Sequence, residues 1–578
     1  MAYNLRKCEK YKKTGSNRFL LFSPFDEKIK VIADSYSNRF VTKAIEDKII
    51  FGAMNLELKR LMNATAKRVW HGHTLEHFLL CCDTIFAQRK LIKIENGAVE
   101  LNNETRETNL RIDSFIGNKE GLWVEHINPD GPIENSYDGF KMAFHLAFDE
   151  AYKDAVKKYF SEIANDITER IKFPKLLSIK KVIDIEKVKE KNIDLGPIID
   201  ELKKISLSLS KEKNIANSTA SIDILDEVKY FGSSIGTRIK TNDFKCKITL
   251  KVETFVGENK YILTEHIFTM GDEKIDKKMI SEKHKNILRR IKELNVAKSQ
   301  GAVHCYAVVS GEGLGTIIHE AVGHLFEKSL NTEDEWKTFF SRLNESVTSE
   351  KVTIIDDPNW KGGWGSIKYD AYGERSKKVV LIKNGIVNEM LNDNPTASRD
   401  GKQSNAHARA MRLSSVEIID SSKMDDDEDL GSGDPTPRMT NTIVEINTKK
   451  YDSIDDLTIA AIDKNNNIGQ PYALKLIGHK GGMVIETGQF RFTPKEAYRV
   501  YPDGREEPIR DVIVILSPLE ALNNIIASGK ELKCERGFCG RPEGSVTNDS
   551  FAPDVVMEIE TTIAVEDKTR PPIIEKPK

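Results

Sequence analysis

The sequence predicts an α+β protein in two parts. Residues 1–300 read as an N-terminal mixed α/β domain with an antiparallel sheet and long helices, and residues 301–578 as a β-rich C-terminal domain containing one apolar helix. Three observations lead there. Apolar residues recur at spacings of three and four from Tyr137 onward, the period falls to two between Ala220 and Met270, and after Ala302 short alternating runs separated by turn residues continue almost to the end.

The first 135 or so residues mix short apolar segments with polar turns, which is consistent with strands and helices but assigns no architecture. From Tyr137 to Lys172, the residues Phe140, Ala143, Phe144, Ala147, Ala151, Ala155, Tyr159 and Ile163 form one stripe with charges between them, the pattern of a long amphipathic helix. Phe173-Pro174 ends it. A Lys/Glu/Ile-rich stretch up to Lys213 holds one more helix near Ile198–Leu207, so the helical segment covers about 137–210. Strict alternation over Lys245-Cys246-Lys247-Ile248-Thr249-Leu250-Lys251-Val252, punctuated by Gly232, Gly236 and Gly257, marks an antiparallel sheet. A Lys/Arg-rich helix over Lys274–Lys298 follows, with a solvated basic face, and reads as a hinge between the halves. Asn384-Gly385 within Val379–Leu391 and Asp503-Gly504 within Tyr498–Ile513 are hairpin signals, because such pairs accept the left-handed backbone of a tight turn. The acidic run Asp425–Asp429 before Gly431-Ser432-Gly433 reads as a solvated loop, and the tail from Asp567 as frayed.

Composition removes several function classes. Lys+Arg is 87 and Asp+Glu is 89, a formal charge of −2, so no overall positive field exists to hold nucleic acid or an anionic membrane. No apolar run approaches the roughly 18 residues that a membrane helix needs. The polar N-terminus lacks the apolar core of a signal peptide, and 7 cysteines form no disulfide framework, which together point to the cytoplasm.

The segment Gly311-Glu-Gly-Leu-Gly-Thr-Ile-Ile-His319-Glu320-Ala-Val-Gly323-His324-Leu-Phe-Glu327 places two imidazoles and an acid in an apolar helical run. Zinc-protease histidines commonly sit at i and i+4, about 40° apart on a helix. Here they sit at i and i+5, about 140° apart, so both reach one ion only where the helix is overwound, widened or broken. Gly323 is the residue whose backbone freedom permits that. Glu320 adjoins the first histidine and is placed to polarise a metal-bound water without being a ligand. On spacing alone a second reading stays open: two unrelated histidines on a buried helix.

Three further patterns compete for attention. His73, His77 and Cys81 line up at i, i+4 and i+8 if Trp70–Cys82 is helical, but three positions along a straight helix span about 12 Å, too far for one ion. Gly311-x-Gly313-x-Gly315 after the strand-like Ala302–Ser310 imitates a dinucleotide loop with the wrong final spacing, and reads instead as a glycine-rich turn into the helix. His407 reads as a surface or satisfied histidine rather than a lining residue of a cleft.

The text His319-Glu-Ala-Val-Gly-His324 after a glycine-rich approach resembles the signature of the TldD/PmbA metalloprotease family, in its TldD-like form that keeps the metal motif. Blocks downstream agree in order: Ser366-Ile-Lys-Tyr-Asp370 with Gly373, Val380–Gly385, Thr396-Ala397, Asn405-Ala-His407-Ala-Arg409, Pro437-Arg438-Met439-Thr440-Asn441-Thr442, Gly481-Gly482, Thr487–Phe492 and Glu496-Ala497-Tyr498. Asn109–Asp113 and Tyr230–Gly236 resemble the family's N-terminal domain more loosely, and residues 1–100 resemble no named family. The resemblance implies a third ligand in a Cys-Gly block, here Gly537-Phe538-Cys539-Gly540, which gives a metal set of His319, His324 and Cys539. Two histidines, a cysteine and an open position are the composition of a catalytic zinc site rather than a closed structural one. The resemblance thus implies a Zn²⁺-dependent peptidase in which Glu320 is the base for the metal-bound water, acting on unfolded or extended peptides. It also implies a homodimer or a heterodimer with a motif-lacking paralogue. One departure stands out: Arg541-Pro542-Glu543-Gly544-Ser545-Val546-Thr547 occupies the place of a Gln-, Pro- and Gly-rich segment that follows the Cys-Gly in the family. That departure supplies the rival expectation, a catalytically inactive metal-binding accessory or regulatory subunit of such a complex.

Overall fold

The computed structural model describes residues 51–563 apart from 52–53, 55–57, 64, 66, 71–72, 118–121, 128–136, 165–178, 189–192, 329–341, 411–433, 485–489 and 542–543. The acidic run Asp425–Asp429 and the tail from Asp567 lie outside the described residues.

Two sheets organise the chain. The first has eight strands, all from residues 67–270, ordered Leu122–Ile127, Ala98–Gly117, His73–Glu95, Ile215–Ser233, Arg238–Val256 and Ile183–Ile185, with Lys67–Trp70 and Asn259–Met270 added beside the third and fifth. The expected alternation produces it: Phe244, Cys246, Ile248, Leu250 and Val252 are buried while the lysines between them are half-buried. Helices cover that apolar face. Gly196–Leu209 contributes Ile198, Leu202, Ile205 and Leu209, and Lys277–Val296 contributes Ile280, Ile287 and Ile291. The long helix is described over Tyr137–Ala164 and packs Phe144, Ala147, Phe148 and Ala151 against Leu80, Cys82, Val228 and Tyr230.

Two expectations need correction. Trp70–Cys82 is not helical: His73–Glu95 is one long strand, and an irregularity at His77/Leu79 puts His77 and Cys81 on opposite faces, His77 against Phe148 and Tyr152 of the long helix and Cys81 against Phe115 and Tyr372. A short, nearly continuous apolar run does not distinguish strand from helix by periodicity. The basic helix, for its part, is less a hinge than a clamp. Its Arg290 is buried in an ion pair of 2.9 Å with Glu265 of the first sheet, and its Arg289 reaches Glu496 of the second at 2.8 Å.

The second sheet has fifteen strands, beginning at Lys298–Ser299. Val303–Val309 lies at its centre, antiparallel to Gly544–Ile563 on one side and parallel to Ala473–Ile477 on the other. Both expected hairpins form, with Asn384 and Gly385 at φ 48° and 80° and Gly504 at φ 82° in their turns. Cys305, Ala307 and Val309 of the central strand share one core with Leu314, Ile317 and Ile318 of the helix that follows.

Candidate metal centre

That helix runs Gly311–Ala321 and starts at once after the central strand. Ser310 caps it, its Oγ accepting from the Gly313 N–H at 3.3 Å and from the Gly478 N–H at 2.9 Å. The glycines expected to form a turn before the helix are its own first residues. They serve close packing: a Cβ on Gly311 would lie 2.2 Å from the Ala552 carbonyl oxygen, and one on Gly315 would lie 2.9 Å from Ser550 Cβ. The helix therefore lies directly on strand Gly544–Ile563.

The break required by the i, i+5 spacing is present. The α-helix ends at Ala321, Val322 takes φ −124° and ψ −51°, and Gly323–Phe326 form a tighter 3₁₀ turn that carries His324 back toward His319. Gly323 contributes differently from the expectation. Its φ is not left-handed. A Cβ there would fall 2.1 Å from Met439 Sδ, so the absent side chain lets the turn press onto Met439.

His319 and His324 are 5% and 8% exposed, and their ring centroids are 5.0 Å apart. Cys539, 1% exposed, reaches them from strand Ile525–Arg541, which forms a long hairpin with Gly544–Ile563 and pairs Cys539 with Val546. One ligand-capable atom from each of the three lies within 4.8 Å of the others, and among the described residues no other group of three or more His, Cys, Asp or Glu does so. Cys539 Sγ is 3.5 Å from His324 Nε2, and Glu320 Oε2 is 3.8 Å from the same nitrogen. The Glu320 side chain is one quarter exposed, so it faces the solvent side of a cluster that is otherwise enclosed.

A second ring of contacts orients these groups, and its members were not singled out from the sequence. Glu327, 1% exposed, accepts from His324 Nδ1 at 2.8 Å, from Met439 N–H at 2.8 Å and from Arg541 at 3.1 Å. Arg438 donates to the Cys539 carbonyl at 2.6 Å and to its Sγ at 3.0 Å. The Asn548 carboxamide lies 3.1 Å from His319 Nδ1. Glu327 was visible as His-x-x-Glu, a spacing that brings side chains together on a 3₁₀ turn. Arg438 and Asn548 arrive through tertiary packing and carry no local signal. His407 is fully buried and satisfied, with Asp356 at 3.2 Å and Asn405 at 3.0 Å.

The electrostatics are those of a site built for a cation. Burial works against a charged Cys539, but Arg438, His324 and His319 hold its thiol well below the ordinary value. Burial likewise disfavours charged imidazoles, yet Cys539 and Glu327 push His324 well above its ordinary value, and Cys539 raises His319. Glu327 is held far below the carboxylate range against its burial by His324, Arg438 and Arg541. In the metal-free chain, protons thus supply positive charge between a thiolate and a carboxylate. Two nitrogens and a thiolate sulfur within bonding reach of one point suit Zn²⁺, which takes N and S donors tetrahedrally.

Residues 303–561 match the model of the PmbA/TldA metallopeptidase C-terminal domain. A protein named metalloprotease from Methanothermobacter thermautotrophicus is 32% identical over 43% of this chain and 48% of its own length, so this match spans about half of that relative. A metalloprotease from Methanocaldococcus jannaschii is 27% identical over 80% of this chain and 92% of its own. A protein named zinc metalloprotease TldD homolog from Saccharolobus solfataricus is 23% identical over 74% and 87%. The solved structure of TldE from Thermococcus kodakarensis has the same fold, with a TM-score of 0.55 at 14% identity over 84% of this chain and 96% of that one. That domain lies in the C-terminal half of the chain, where the second sheet carries the His-Glu-x-x-x-His helix, and this half is similar to the TldD/PmbA metallopeptidases.

Proposed function

We propose that this protein is a zinc metallopeptidase, with His319, His324 and Cys539 holding the metal and Glu320 acting as general base. The observation that carries the reading is the convergence of two buried imidazoles and a thiolate beside a carboxylate that stays open to solvent. Zn²⁺ in that position supplies Lewis acidity toward a water and a peptide carbonyl. Glu320 accepts the proton that the attacking water loses and returns it to the departing amine, a contribution of about 10² to 10⁴ in rate. Glu327 accepts from His324 Nδ1 and so leaves Nε2 as the donor nitrogen, while Arg438 offsets the charge of the thiolate.

The substrate class we assign is extended or unfolded peptide. Strand Gly482–Val484 supports it: among the described residues it pairs with Phe490–Phe492 on one side only, and it lies against the metal helix. Such an edge recognises backbone rather than side chains. Dimerisation, with a second copy or with a motif-lacking paralogue, belongs to the same proposal and is checked by sedimentation of the full chain alone and with such a paralogue. Among the described residues no helix is long and apolar enough to cross a membrane. A cytoplasmic location is part of the reading, in keeping with six described cysteines that are all unpaired.

The deciding experiment measures zinc content and hydrolysis of an unstructured peptide on the same preparation, for the parent chain and for Glu320→Gln. Retained zinc with turnover lowered by two orders of magnitude or more is expected. Unchanged turnover would remove Glu320 from the chemistry. Full zinc with no hydrolysis by the parent chain, alone or with its partner, would favour the accessory-subunit reading.

A further inference from the structure

A second set of buried acceptors lies where the two halves of the chain meet, and it makes no use of the histidines or the thiol. The turn Asp370–Glu374 closes on itself: Asp370 N–H donates to the Glu374 carbonyl at 2.9 Å, and Asp370 Oδ1 accepts from the Tyr372 and Glu374 N–H groups at 3.0 Å each. Asp370 Oδ2 has no partner, although the residue is only 2% exposed. Glu374 receives the side chains of Ser404 and Asn394, and its Oε2 is buried without a partner. Asn394, 1% exposed, spends its amide nitrogen on Glu374, which leaves its own Oδ1 buried and unpaired.

Three buried oxygens, two of them on carboxylates, thus lack a donor. An orphaned buried acceptor costs about 1–3 kcal/mol, and more when it is charged. Among the described residues no cation is ion-paired with Asp370 or Glu374. Lys377, the nearest to Glu374 in influence, places its Nζ on the Ser404 carbonyl at 2.7 Å. Arg111 is engaged by Asp113 at 2.9 Å and by the Ala371 carbonyl at 2.6 Å. Burial first, and then the negative charges of Glu374 and Asp393, push the Asp370 carboxyl well above its usual range.

We propose that Asp370 Oδ2, Glu374 Oε2 and Asn394 Oδ1 hold a hard divalent cation of the calcium class, separate from the zinc centre and structural in role. An all-oxygen set of carboxylates and an amide carbonyl is hard-cation chemistry, and the flexible shell of calcium suits a site made largely of protein oxygens better than the water-retaining octahedron of magnesium. The position explains the role. Gly373, at φ +76°, brings the turn so close to the first sheet that a Cβ would fall 2.3 Å from the Phe231 ring. Ala371 and Tyr372 share a core cluster with Leu79, Phe115 and Phe231 of that sheet. A cation under this turn fixes the surface on which the two halves dock, and the inference does not depend on the zinc reading.

The rival explanation is that one carboxyl keeps a proton. The test uses the full chain, purified without chelator: calcium and zinc are measured together by elemental analysis, and thermal unfolding is followed with and without added CaCl₂. Calcium retained in the isolated protein, or a midpoint that climbs with CaCl₂ concentration, is expected, with Asp370→Asn and Glu374→Gln losing both the calcium and the response while their zinc content stays at the parent level. If those variants do not fold, Asn394→Ala, which removes only the neutral ligand, should weaken the response. Absence of calcium together with an unresponsive midpoint overturns the proposal, as does an equal calcium response in parent and variants. A parent chain that carries no calcium and does not respond to it, with Asp370→Asn as stable as that parent, would establish the shared proton instead.

Discussion

Two buried histidine sites in this chain have opposite electrostatics. His77 sits in the first sheet between Thr65 Oγ1 at 2.7 Å and Ser114 Oγ at 3.1 Å, against the rings of Phe148 and Tyr152. Its surroundings are neutral, and burial lowers its pKa from 6.5 to about 4. His324 is as deeply buried, but Cys539 and Glu327 beside it raise its pKa well above 6.5. Burial alone makes an imidazole a core residue; burial beside anions makes it a place for a cation. The first site resembled a ligand cluster in sequence because the histidines were spaced for a helix that does not form.

The largest test of this contrast is removal of a ligand. Cys539→Ala and His324→Ala should each lose most of the bound zinc and all measurable peptidase activity, whereas His77→Gln should keep both. Elemental analysis of the three variants decides it, and full zinc in Cys539→Ala would break the assignment of the sulfur. Next in size is Glu320→Gln, for which turnover should fall by about 10² to 10⁴ while zinc stays bound.

Legibility followed the range of the interactions. The helices, the alternating strands and the two hairpins are local patterns, and they appear close to where periodicity and Asn-Gly or Asp-Gly place them. The helical break was also legible, since two histidines at i and i+5 demand it, but its cause was not. Gly323 was expected to supply backbone freedom, and instead it admits Met439, a contact 116 positions away that no local reading could reach. Cys539 stands 215 residues from His324, and only the family resemblance joined them. Arg438 and Asn548 depend on strand pairing and were invisible for the same reason. Glu327 could have been found from its spacing to His324.

His77 gives a prediction on stability. A histidine whose folded pKa is depressed takes up its proton more readily when unfolded, so stability is complete above about pH 6.5, declines as pH falls, and stops declining near pH 4. The shift corresponds to about 3 kcal/mol at most. Urea unfolding of the N-terminal half, followed at pH 7, 5.5 and 4, should show this loss in the parent chain and a smaller one in His77→Gln. Parallel pH profiles would mean that His77 is not the neutral core residue its contacts describe.

The smallest expected effect tests whether the anions, rather than burial, suit His324 to holding a metal. Glu327→Gln keeps the shape and a hydrogen-bond acceptor for His324 Nδ1 but removes the charge that faces His324, Arg438 and Arg541. Outer contacts of this kind typically contribute about 10- to 100-fold in metal affinity. Zinc titration against a competing chelator should therefore show weaker binding by about that factor, with the protein still folded, because the glutamine still accepts from the Met439 N–H. Glu327→Ala removes the acceptor as well and should weaken zinc further while exposing the buried guanidinium of Arg438 to an unpaired neighbour. If Glu327→Gln binds zinc as tightly as the parent, the charge at Glu327 is there to neutralise the two arginines, and the hydrogen bond alone orients His324.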